Sequence, residues 1–150
     1  MMSIRKRKLW LTCCLVVWCL PVSILSAAEE ENAARCMALN LYWEARSEGR
    51  EGMLAVGWVV LNRMAHPKFP NTVCGVIQQG GEKPPCEWNW WCDGRSDRPT
   101  EPKAWAMAQA LAQELLSQPP EDPSFGALWF HHEKLGVPKW LKSREPTSVY

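Results

Sequence analysis

From Ala33 to about Ser47 nearly every side chain is apolar. A helix that is apolar on almost all sides has to be buried on almost all sides. At 150 residues the chain is long enough for one domain, so this helix belongs at its middle. Gly49 suits the C-terminal end, where a left-handed residue is wanted, and Gly52 falls in the short connection or the next first turn. Met53, Val56, Val60 and Met64 then repeat at helical spacing and predict a second core helix. Gly57 inside it costs about 1 kcal/mol relative to alanine, so a close helix–helix contact is expected there.

The first 28 residues have a different character. Arg5-Lys6-Arg7-Lys8 is a basic patch, Leu9 to Leu20 an apolar core, and Pro21 to Ala28 a tail of small residues. That order is a secretory signal peptide, with Ser26-Ala27-Ala28 as the cleavage site. The competing reading is an uncleaved membrane anchor, although the 17 residues from Leu9 to Leu25 include Pro21 and fall short of the ~20 that span comfortably. The expected organisation is a signal peptide over 1–28 and one domain over 29–150, exported to the periplasm or cell envelope. Without the leader, 13 Lys and Arg face 16 Asp and Glu, a net charge that gives no reason to expect nucleic acid. Cys36, Cys74, Cys86 and Cys92 remain, an even number in an exported chain, which suggests two disulfides. Four cysteines allow three pairings; the nearest pair, Cys86 and Cys92, could close a small loop and leave Cys36 with Cys74. A zinc site is the competing use, but these spacings lack Cys-x-x-Cys pairs.

Along the rest of the chain, Asn32 is a fair N-cap for the first helix, and His66-Pro67 ends the second. Phe69 to Cys74 turns into a short helical or extended piece running to Gln78. A loop over 79–85 leads to Glu87-Trp88-Asn89-Trp90-Trp91 between two cysteines. Thr100 is placed to cap a third helix from Glu101 to about Ser117, with Trp105, Ala108, Leu111, Ala112 and Leu115 as its inward stripe. Pro119-Pro120 stops it. Gly126 to His131 resembles a short strand and Val137 to Trp140 a second extended piece. The predicted fold is therefore α+β, mainly helical, with a small β-sheet.

Two carboxylates four residues apart, Glu44 and Glu48, close the first apolar helix. On a wheel at about 100° per residue, Asn40, Glu44, Met37, Glu48 and Leu41 share one sector, and Arg35 and Arg46 fall nearly opposite. Arg46 therefore gives Glu44 no ion pair. Apolar surroundings and a like charge one turn away both disfavour ionisation and raise the pKa, which is what a general acid working near neutrality needs. The ordinary alternative is a solvated helical glutamate, and Glu48, near the helix end, fits that description.

The residues Cys36-Met37-Ala38-Leu39-Asn40-Leu41-Tyr42-Trp43-Glu44-Ala45-Arg46-Ser47-Glu48, then Gly52, Ala55-Val56, Val59-Val60 and Leu61-Asn62-Arg63, resemble the cell wall hydrolases of the spore-cortex-lytic SleB/CwlJ type. Phe69 to Ile77 is similar to the family's middle segment, Cys86 to Gly94 to its Cys-rich aromatic loop, and Ala127 to His131 with Pro138 and Trp140 to its C-terminal block. The four blocks run in order over about residues 35–140. The resemblance implies a lysozyme-like domain acting on peptidoglycan glycan strands, with one essential glutamate aligned with Glu44. It implies a lytic transglycosylase that cuts between N-acetylmuramic acid and N-acetylglucosamine without a cofactor. Trp88 stands where the family's loop is expected to carry phenylalanine, and either His131 or His132 matches the family's histidine.

Other residues give weaker signals. Trp88, Trp90 and Trp91 suit sugar rings or, equally, a small core under a disulfide; Trp90 is the expected groove residue. Asn62-Arg63 at a helix end suits substrate binding, or capping and a salt bridge. His131 is expected at the substrate, beside Glu48, Asn62 and Trp90. His131-His132 lacks the further ligands zinc requires, so no metal is expected. A monomer is expected, with targeting left to an envelope protein partner, and the competing function is a non-catalytic peptidoglycan-binding envelope protein.

Overall fold

The computed structural model describes residues 21–130. They form five helices: α1 (Pro21–Ala45), α2 (Gly49–Ala65), α3 (Val73–Ile77), α4 (Asn89–Cys92) and α5 (Pro102–Ser117). As the run of apolar residues requires, α1 is the central element and packs against α2, α3 and α5. Met37, Leu41 and Tyr42 on it are fully buried, together with Met53 and Val60 of α2 and Leu115 of α5. Gly57 makes the expected close contact. A Cβ there would lie 3.2 Å from Leu41 Cδ2 and collide with Leu115 Cδ1, so the missing side chain lets three helices meet.

Two disulfides, Cys36–Cys74 and Cys86–Cys92, fasten the frame. The first ties α1 to α3 across 38 residues, a loop whose closure is worth roughly 4 kcal/mol. The second brackets the aromatic segment, whose residues Asn89–Cys92 wind into the single turn of α4.

The expected small β-sheet is absent: the described residues contain no strand. Gly126 to His131, expected as a strand and described as far as Phe130, begins in a turn in which Phe125 and Gly126 have φ of 52° and 82°. A strand needs a neighbouring backbone, and here side chains take that role. Ala127 O accepts from Asn62 Nδ2 at 3.2 Å and Leu128 O from Arg63 Nε at 2.7 Å, so α2 holds the segment. The second extended piece, Val137 to Trp140, lies outside the described residues, as do His131 and His132.

Three boundaries also differ. α1 is already helical at Pro21, the first described residue, and carries Asn32 in its interior, because Ala27-Ala28-Glu29-Glu30-Glu31 are strong helix formers that favour helix there. It ends at Ala45, not Ser47, and Gly49 supplies the left-handed turn at φ 69°. α5 is capped from outside: Tyr42 Oη accepts from the backbone N–H groups of Thr100 and Glu101 at 3.0 and 3.1 Å. A fully buried tyrosine thus satisfies donors at the entry to α5. No helix among the described residues is long and apolar enough to cross a membrane.

Candidate active site

Glu44 is the next-to-last residue of α1. Its neighbours in sequence turn elsewhere. Trp43 Nε1 donates to Asp97 O at 3.3 Å, and Arg46 pairs with Glu101 at 2.8 Å with its guanidinium over the Tyr42 and Trp43 rings. The wheel's separation of Glu44 from Arg46 therefore holds in three dimensions. Glu44 is half-buried, and among the described residues it makes no hydrogen bond and no ion pair. Burial pushes its carboxyl up to about 6. Its position in the last turn, at the negative end of the helix dipole, opposes ionisation as well.

Glu48 does not share this setting. With α1 over at Ala45, Glu48 lies in the connecting turn at the N-cap position of α2, exposed, accepting from Ser47 Oγ at 3.1 Å. The wheel that placed both carboxyls on one face does not extend to it.

The sugar-facing candidates separate in a similar way. Trp90 is buried in the core, and its Nε1 donates to Asn40 Oδ1 at 2.9 Å. Asn40 is fully exposed to neither water nor groove; it is buried on α1 one turn before Glu44. The structure thus links Trp90 to the Glu44 helix through an amide. Trp88 is also buried, donating to Val76 O at 3.2 Å. The Asn62 amide is committed to Asp122, Ser124 and Ala127, at 3.1 to 3.2 Å, so it anchors the loop that precedes Leu128.

Sequence reading gave no structural role to Asp122, and only a general one to Arg63. Burial raises the Asp122 pKa, but hydrogen bonds from Ser124, Asn62 and Gly126 outweigh it and hold the carboxyl below its ordinary value. The Asp-Pro-Ser pattern at 122–124 is the signal that could have found this turn. Arg63 is buried between the Phe69 and Trp88 rings, about 5 Å from each, and pairs with Glu87 at 2.6 Å. A cleft of about 490 Å³ opens on another side of α1, between it and α5, where Arg35, Trp105 and Gln109 line it without Glu44.

The sequence comparisons agree with this architecture. A match to the family described as Cell Wall Hydrolase covers residues 47–150 and begins three residues after Glu44. The spore cortex-lytic enzyme of Halalkalibacterium halodurans is 33% identical over 119 residues, 79% of this chain and 32% of that enzyme. Those of Bacillus subtilis and Bacillus cereus are 32% and 31% identical over 114 and 115 residues, covering 75% and 76% of this chain and 33% and 40% of those enzymes. The chain therefore spans about a third of the length of these relatives. No solved structure matches it. With the family match covering more than two thirds of its length, the chain belongs to the cell wall hydrolase family.

Proposed function

We propose that this protein cleaves peptidoglycan glycan strands as a lytic transglycosylase, using Glu44 as its single acid and base. The observation that carries the reading is a half-buried carboxyl, unpartnered among the described residues, titrating at about 6. Such a group is protonated often enough near neutrality to act as an acid, and its conjugate base is strong enough to act next. The family and the relatives' names support a cell wall polymer as substrate.

In this mechanism the Glu44 carboxyl protonates the oxygen between N-acetylmuramic acid and N-acetylglucosamine, and the bond from that oxygen to the muramic C1 breaks. The Glu44 carboxylate then takes the proton of the muramic C6 hydroxyl as that oxygen bonds to C1. A 1,6-anhydro end is left, Glu44 has its proton back, and no water is consumed. One carboxyl suffices because the nucleophile belongs to the substrate. Hydrolysis by a carboxyl pair would need a second group about 5–9.5 Å away, and the exposed turn at Glu48 gives little support for that role. The leader pattern of residues 1–28 supports a setting in the periplasm or cell envelope.

The test is to incubate the purified protein with peptidoglycan sacculi and analyse the released sugars by mass spectrometry. Anhydro-muropeptides are expected. Reducing ends in their place would mean a hydrolase, and a protein that binds sacculi but releases nothing would mean a binding module.

A further inference from the structure

Asn40 is fully buried on α1, four residues before Glu44. Its Oδ1 accepts from Trp90 Nε1 at 2.9 Å. An indole N–H can only donate, so this bond fixes which end of the amide is oxygen. The other end, Nδ2, is buried with no partner, and a buried donor left unmatched is costly. Residues four apart on a helix are side-chain neighbours, with about 5–6 Å between their Cβ atoms. Among the described residues, an unmatched donor and an unmatched acceptor, Glu44, therefore stand one turn apart on the same face of α1. Other charges near this end of α1 are engaged elsewhere: Arg46 is bound to Glu101, and Glu48 accepts from Ser47 in the turn beyond.

We propose that Asn40 is a positioning residue for Glu44, its Nδ2–H receiving the carboxylate that remains once Glu44 has given up its proton. Trp90 holds the amide in the orientation that presents the donor, and the Cys86–Cys92 disulfide brackets Trp90. Trp90 thus acts on the reaction through a buried amide and not by stacking on sugar. A hydrogen bond that exists only to the ionised form favours ionisation, so the amide assists the proton's departure and limits how far burial raises the acid. The proposal rests on Glu44 being the acid.

The test uses the full chain with 13C-labelled glutamate, following the Glu44 carboxyl by NMR titration beside steady-state kinetics on sacculus fragments. The Glu44 resonance is identified by its loss in Glu44→Gln. In Asn40→Leu the Glu44 titration point should rise by about one unit and kcat should fall about 10- to 100-fold, with KM within about twofold. If Asn40→Leu does not fold, the smaller Asn40→Ala favours the helix, removes the same donor without adding a charge, and should raise the Glu44 titration point in the same direction. A folded variant with an unmoved Glu44 titration overturns the proposal, whether or not its activity falls, because a purely structural amide would leave the carboxyl alone. If Glu44→Gln stays fully active while the Asn40 variants still shift Glu44, the contact stands and the acid assignment fails.

Discussion

Arg63 and Glu44 occupy equivalent places, each in the last turn of an apolar helix with its charge taken partly or wholly out of water. The Arg63 guanidinium agrees with the negative end of its helix dipole, donates to Leu128 O, pairs with Glu87 and lies between two aromatic rings. Glu44 opposes its dipole and has no partner among the described residues. Burial lowers the Arg63 pKa and Glu87 pulls it back up, whereas at Glu44 no opposite charge among the described residues offsets burial. Arg63, with a carbonyl, a carboxylate and two rings around it and only its Nη1 unmatched, holds the fold together. A buried acid left without a counter-ion weakens the fold near neutrality and is available for proton transfer.

The difference should appear as opposite signs in stability. Arg63→Met takes the partner from Glu87 and leaves the Leu128 carbonyl unmatched, while Asn62 still holds the turn before it. Urea unfolding should show a loss of about 2–3 kcal/mol. A loss below about 1 kcal/mol would remove Arg63 as the structural member of the comparison.

Glu44→Gln should instead stabilise the protein, and only above the acid range. The folded carboxyl titrates at about 6 against an ordinary 4.5. Below about pH 4.5 the wild-type carboxyl is protonated in both folded and unfolded chains, so no difference is expected. As pH rises through about 6 the unfolded chain ionises more readily, and the wild type loses about 2 kcal/mol that the glutamine variant keeps. Unfolding curves at pH 4 and pH 8 measure this. Equal stability of the two proteins at pH 8 would mean that the carboxyl is not desolvated as described.

The smallest effect tests the separation of Glu44 from Arg46. Glu101→Gln breaks an exposed pair and should cost about 0.2–1 kcal/mol. Since Arg46 leaves α1 on the other side, the pH dependence of cleavage should not move. A shift of the acid limb in that variant would show that the freed guanidinium reaches Glu44.

How much of this was legible in the sequence depends on whether the cause was local. The burial of α1, the close contact at Gly57 and the placing of Arg46 away from Glu44 all follow from helical period and side-chain size. The extent of α1 was missed on both sides for opposite reasons: alanine and glutamate keep it helical before Asn32, while the turn at Gly49 ends it early and takes Glu48 off the face. The sheet was missed because Gly126 to Phe130 has the composition of a strand, while its backbone acceptors are taken by Asn62 and Arg63 from 60 or more residues away. No periodicity reports that. The Asn40–Trp90 bond is of the same kind, a pairing across 50 residues. Glu44 could be read as an acid with a raised pKa, but not as one beside an unmatched amide.

The most direct test of the central claim is sacculus digestion by Glu44→Gln at neutral pH, with folding checked on the same sample. The variant should fold at least as well as wild type and release anhydro-muropeptides at a rate about 10²–10⁴-fold lower. A folded Glu44→Gln protein that still releases them at the wild-type rate would contradict the account.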